Sequence, residues 1–138
     1  MTATSFFDTN IFLYVVSAAK EDAAKREKAM ALIATCDFAI SIQVMNEFAD
    51  AALRKKRLGV TPDEVKTMLE EMAAGYPVLS PTPGLVFRAL DLSGRYRIRY
   101  YDAAILAAAQ ELGCHTLYSE DLSHSQIYDT VQVLNPFL

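Results

Sequence analysis

The sequence predicts a three-layer α/β/α domain built on a central, mostly parallel sheet of four or five strands. Three observations carry this. Short strand-like runs alternate with longer helical patterns from one end of the chain to the other. Strands separated by helices imply right-handed crossovers and a sheet covered on both faces. No repeat, low-complexity tract or linker divides the 138 residues, so residues 1–138 read as one domain. With 52% hydrophobic and 22% charged residues, such a chain can bury a substantial core.

The strand candidates span 5–8, 37–41, 76–79, 115–118 and 131–134, each bounded by Asp, Ser, Gly or Pro. Between the first two, residues 20–35 place Ala23, Ala29, Met30 and Ile33 at helical spacing. The run Val44-Met45-Asn46-Glu47-Phe48 continues the helical pattern after the second strand. A further helix starts at Thr61, with Pro62 in the first position and Glu64 completing a capping box, and Gly75 is its expected stop. The prolines Pro77, Pro81 and Pro83 mark a loop after the third strand, and an alanine-rich helix runs over 102–112 up to Gly113.

A formal net charge of −4 argues against holding nucleic acid through overall charge, so a polyanionic substrate needs local basic patches and bound cations. Cys36 and Cys114 lie far apart without Cys-x-x-Cys spacing, which indicates neither a disulfide framework nor a zinc site. The apolar stretch 11–19 is too short to span a bilayer and has no basic leader, so the expectation is a cytoplasmic protein without a membrane segment.

Four acids stand out. Asp8 and Asp121 follow the first and fourth strands, Asp102 opens the alanine-rich helix, and Glu47 lies about one turn into its own helix. In open parallel sheets, ligands bind beyond the carboxyl ends of the strands, an end that all four acids can reach. Two carboxylates ~5 Å apart repel by roughly 3 kcal/mol at an effective dielectric of about 20. Four together cost on the order of 10–20 kcal/mol without counter-charge or protonation. Hard oxygen ligands suit Mg²⁺ or Mn²⁺, and two-metal sites cleave phosphodiesters through an activated water. Each acid also has an ordinary reading. Asp8 and Asp102 suit helix N-caps, Glu47 a solvated helix position, and Asp121 a turn in which Glu120 is the rival ligand.

The ordered set Phe6-Phe7-Asp8-Thr9-Asn10, Asn46-Glu47-Phe48, Tyr101-Asp102-Ala103-Ala104-Ile105 and Ser119-Glu120-Asp121 resembles the PIN-domain proteins. Among these the chain is most similar to the VapC toxins of bacterial toxin–antitoxin pairs. The resemblance covers essentially the whole chain. It implies a PIN-like fold and a ribonuclease whose Mg²⁺-binding acids are Asp8, Glu47, Asp102 and Asp121. Asn10 and Ser119 match polar positions that support the acids, and a cognate antitoxin is the implied inhibitor. One departure is plain: the family's fourth motif commonly continues with a second Asp and a Phe, whereas Leu122-Ser123-His124 follows here.

Arg95, Arg97 and Arg99 interleave with tyrosines on the way to Asp102, a pattern that can hold phosphates and stack on unpaired bases. The run Arg54-Lys55-Lys56-Arg57 reads instead as a solvated helix C-terminus. Phe12, Tyr14 and Val15 are available either to the core or to an antitoxin or homodimer contact. The leading expectation is a Mg²⁺- or Mn²⁺-dependent endoribonuclease using metal-activated water. The alternative is a catalytically silent PIN-like module that binds metal, RNA or protein. An aspartyl-phosphate phosphatase is disfavoured, because Asn10 stands where that chemistry wants a second acid.

Overall fold

Phe6 and Phe7, adjacent in sequence, are both fully buried. Consecutive strand residues face opposite sides of a sheet, so this run lies in a sheet covered on both sides. The computed structural model of the protein, which describes residues 3–138, has this arrangement. Strands β1 (Ser5–Phe7) and β2 (Phe38–Ser41) are buried at every position. With β3 (Val78–Leu79), β4 (Thr116–Tyr118), β5 (Ile127–Tyr128) and β6 (Val131–Leu134) they form a six-stranded sheet in the order β3-β2-β1-β4-β6-β5. Every neighbouring pair is parallel except β5 with β6.

All five expected strands are present, and β5 is the addition to the expected four or five. Its apolar run, Ile127-Tyr128, is cut off at once by Asp129 and is too short to read as a strand. Tertiary contacts make this strand: Asp129, at φ 56°, turns the chain from β5 into β6. Its backbone N–H donates to the Tyr96 hydroxyl at 2.7 Å, and its carboxylate accepts from Gln110 at 2.8 Å.

Among the described residues six helices cover the sheet: α1 (Thr9–Val16), α2 (Ala23–Thr35), α3 (Ile42–Arg54), α4 (Pro62–Gly75), α5 (Pro83–Tyr96) and α6 (Tyr100–Glu111). Single 3-10 turns at Lys20–Asp22 and Lys56–Leu58 precede α2 and follow α3. The capping box of α4 forms as expected, with both reciprocal bonds between Thr61 and Glu64. Gly113, at φ 73°, stops α6 in the left-handed conformation that glycine adopts without steric cost. Two expectations need correction. Pro83 does not lie in a loop but opens α5, whose N-cap Thr82 accepts from the Leu85 amide. Helix α6 begins at Tyr100 with Arg99 as its N-cap, so Asp102 sits inside the first turn.

The winding positions the site. From β1 the chain steps outward through β2 to β3, then returns past β1 to β4 on its other side. The carboxyl ends of β1 and β4 therefore meet at the switch point of the sheet, where open α/β folds leave a crevice. An aromatic stack lies beneath it. Phe7 packs on Phe38 with ring centroids 4.2 Å apart and meets Tyr118 edge-on at 5.6 Å. Phe12, a candidate for a partner surface, is instead a core residue. The apolar side chains left exposed include Val86, Phe87 and Leu90 on α5. Cys36 and Cys114 are free thiols. No helix among the described residues is long and apolar enough to cross a membrane.

Candidate functional site

Asp8 leaves β1 at the switch point and is almost completely buried. As the N-cap of α1 its Oδ1 accepts from the Thr9 amide at 2.7 Å, and its Oδ2 accepts from the Ser119 hydroxyl at 2.7 Å. The β1–β4 ladder runs up to this residue, because the Asp8 amide donates to the Tyr118 carbonyl at 3.0 Å. Burial dominates over those two bonds, and with the charges of Asp121 and Glu47 it raises the Asp8 carboxyl from 3.8 to about 7. The capping role and the candidate catalytic role thus fall on one residue.

Ser119, fully buried, links the first acid to the fourth. Its hydroxyl donates to Asp8 and accepts from the Asp121 amide at 3.1 Å. Asn10, one residue beyond Thr9 on α1, donates from Nδ2 to Asp121 Oδ2 at 3.3 Å. Asn10 and Ser119 therefore stand against the acids they were expected to support. The Asn10 Oδ1 atom is buried without a hydrogen-bond partner.

Glu47 reaches the same edge from α3. It keeps an exposed face rather than turning fully inward, and Gln43, one helical turn earlier, donates to it at 3.1 Å. The same amide nitrogen donates to the Tyr101 carbonyl at 3.1 Å, which ties α3 to the start of α6 beside Asp102. Partial burial, then the charges of Asp102 and Asp121, raise the Glu47 carboxyl. Asp102 and Asp121 are raised as well, first by partial desolvation at the rim of the crevice, then by Asp121 for the former and Glu120 for the latter. Asp121 and Glu47 are thus within electrostatic reach of both Asp8 and Asp102.

The four acids do not form a closed cage. Among the described residues, no three His, Cys, Asp or Glu side chains stand close enough to enclose an ion together. Mg²⁺ keeps several waters and takes one or two protein carboxylates, with substrate phosphate completing the shell. An open edge of hard oxygen donors, with an unpaired amide oxygen beside it, fits a hydrated ion of that kind.

Cations flank the edge. Arg99 partly offsets the rise at Asp102 and Asp121, and Lys55 does the same at Asp121. Arg97 and Arg99 line a groove of about 420 Å³ with Asp102 and Asp121. Arg97 ends α5 in the left-handed region, at φ 55°, and this reversal carries the chain back to Arg99. Arg95 lies outside that groove, with its guanidinium over the Tyr96 ring at 5.0 Å. On the other side of Glu47 a cleft of about 480 Å³ is lined by Asn46, Tyr100 and Tyr101 among others. Sequence reasoning missed Lys55, because a basic run at a helix end carries no mark of what it faces. It also missed the role of Gln43, although the Gln43–Glu47 spacing of four on a helix was legible.

Glu120, the rival for the fourth ligand, is occupied elsewhere. It accepts from the Tyr14 hydroxyl at 2.5 Å and from Lys25 at 3.2 Å. That leaves Asp121 as the acid of this loop joined to Asn10.

The same architecture occurs in solved structures. A toxin–antitoxin complex from Klebsiella pneumoniae aligns with TM-score 0.70 and 21% identity, covering 96% of this chain and 97% of that one. VapC20 of Mycobacterium tuberculosis, a toxin that cleaves the sarcin–ricin loop, aligns with TM-score 0.69 and 20% identity over 85% and 89% of the two chains. FitAcB of Neisseria gonorrhoeae aligns with TM-score 0.64 and 15% identity over 96% and 98%. At these identities the likeness is one of fold. Among curated proteins no sequence matches this chain. A family model for the PIN domain matches residues 5–129, which takes in Asp8, Glu47, Asp102 and Asp121 together with all strands but the last, and the chain therefore belongs to the PIN domain family.

Proposed function

We propose that this PIN domain is a Mg²⁺- or Mn²⁺-dependent endoribonuclease that cleaves RNA phosphodiester bonds by attack of water, acting in the cytoplasm as the toxin of a toxin–antitoxin pair. One observation carries the reading. Asp8 is buried at the switch point facing the charges of Asp121 and Glu47, with Asp102 in reach of both. A structural domain gains nothing from such an arrangement, whereas a bound cation would relieve it.

In this reading Asp8, Glu47, Asp102 and Asp121 hold the ion, directly or through water. When bound, the ion supplies positive charge to the phosphoryl oxygens and lowers the pKa of a water. Thr9 and Ser119 fix both oxygens of Asp8, and Asn10 and Gln43 orient Asp121 and Glu47. Proton acceptance from the attacking water falls to one of the three more accessible acids, whose raised pKa values improve them as bases. Arg97, Arg99 and Lys55 take the neighbouring RNA phosphates. Arg95, stacked on Tyr96, is a secondary contact at most.

Two partners follow. An antitoxin with a basic segment complements the acidic edge, and toxin–antitoxin complexes are among the similar structures. The exposed Val86, Phe87 and Leu90, three and four residues apart on α5, form an apolar row that a second copy covers in a homodimer.

The test is cleavage of a structured RNA pool by folded, partner-free protein with Mg²⁺, with Mn²⁺ and with excess chelator, comparing wild type with Asp102→Asn. Metal-dependent cutting, lost in the variant, is expected. Cutting that survives chelation, or full activity in both Asp8→Asn and Asp102→Asn, would overturn the mechanism. No cutting across several RNAs would favour a narrow substrate or the silent binding module.

A further inference from the structure

Asp121 stands in a weakly held place. Residues 119–126 between β4 and β5 form no helix or strand, and Asp121 itself is exposed. Its side-chain bond to Asn10 is 3.3 Å long, near the limit of a useful hydrogen bond. Ser119 anchors one side of it, through its amide to the Leu134 carbonyl at 3.1 Å and its hydroxyl to Asp8. Glu120, between the two, supplies the other anchor.

The Glu120 carboxylate is engaged at both oxygens. Tyr14 of α1 donates to Oε1 at 2.5 Å, a short charge-assisted bond, and Lys25 of α2 donates to Oε2 at 3.2 Å. Lys25 also donates to the Tyr14 hydroxyl at 3.1 Å and lies 4.9 Å from the centroid of the Tyr14 ring. Phe137, from the C-terminal segment, closes the group with its ring 4.8 Å from Tyr14 and 5.7 Å from the Lys25 ammonium. Two helices thus converge on the residue next to Asp121, with the C-terminal segment packed against their side chains.

We infer that Tyr14 and Lys25 are positioning residues for the acidic edge: by clamping Glu120 they fix the loop that presents Asp121. The inference rests on the metal-dependent reading above. It differs from ordinary surface stabilisation in what it predicts. A part-exposed ion pair contributes little to stability, so a merely structural clamp changes almost nothing when removed. A positioning clamp leaves stability nearly unchanged but alters Asp121, because freeing a neighbouring side chain returns conformational entropy to an irregular segment. Groups that orient metal ligands typically change metal affinity by about 10–100-fold when removed.

The experiment uses the full chain as wild type, Lys25→Met, Tyr14→Phe and Lys25→Arg, with three readouts. In metal-free protein, hydrogen exchange at the Asp121 amide is expected to speed by about tenfold in Lys25→Met and Tyr14→Phe, while core amides stay unchanged. Mn²⁺ affinity by electron paramagnetic resonance is expected to fall by about tenfold, and kcat on RNA by a similar factor with KM nearly constant. Lys25→Arg, which keeps the ion pair and the ring contact, is expected to restore all three. Unchanged exchange and unchanged Mn²⁺ affinity in both Lys25→Met and Tyr14→Phe would overturn the clamp. A wild type that neither binds Mn²⁺ nor cuts RNA overturns the metal-dependent reading, and the exchange data alone then decide the clamp.

Discussion

Asp8 accepts two hydrogen bonds that favour its ionised form, yet burial outweighs them and lifts its carboxyl to about 7. A raised carboxyl in the folded state means that the native protein holds the proton more tightly than the unfolded chain does. Stability is therefore lost as pH rises from the unfolded value near 4 through the folded value near 7, and the loss levels off above that. The shift corresponds to an upper limit of about 4 kcal/mol at neutral pH, and Glu47, Asp102 and Asp121 act in the same direction. Asp8→Asn removes the charge and retains an acceptor for the cap. In chelator, urea unfolding at pH 8 is expected to show the variant more stable than wild type by on the order of 1–3 kcal/mol, with the difference shrinking toward pH 5. A difference independent of pH would refute the charge as its source. Gained stability with lost cleavage is the pattern of a residue kept for function.

At the scale of elements, local chemistry set what the sequence could announce. Helix α4 carries its own start signal, and the capping box is in place. Because that box is remote from the acids, Thr61→Ala is expected to cost about 1 kcal/mol, a fall in Tm of roughly 3–5 °C, with RNA cleavage intact. A loss of cleavage at temperatures where the variant is folded would mean that α4 communicates with the site. Helix α6 shows the opposite case. Asp102 looked like its first residue because the alanine run starts there, but the helix begins two residues earlier. Asp102 is freed from capping in this way, since Arg99 holds the N-cap position without a side-chain bond. Two-residue β5 had no pattern to show and depends on Tyr96 and Gln110 for its turn.

For the whole molecule, the decisive feature is the return of the chain past β1. That topology brings the ends of β1 and β4 together, so residues 111 positions apart share the Ser119–Asp8 bond. It also leaves Val86, Phe87 and Leu90 exposed on α5. Phe87→Glu is expected to turn a dimer into a folded monomer in sedimentation at micromolar concentration. A wild type that is monomeric there, or a variant that stays dimeric, would remove α5 as the interface.

The sequence by itself determined the α/β class, five of the six strands, the α4 cap and the family motifs that contain the four acids. Each of these rests on periodicity, local capping chemistry or an ordered motif, which short windows contain. Tertiary structure alone decided that Glu120 is tied to Tyr14 and Lys25, that Arg99 and Lys55 flank the acids while Arg95 stacks on Tyr96, and that Phe12 is core. The physical reason is range. A helix or cap is settled by groups within four residues of one another, whereas the charge, burial and partner of a side chain depend on segments that meet only when the sheet closes.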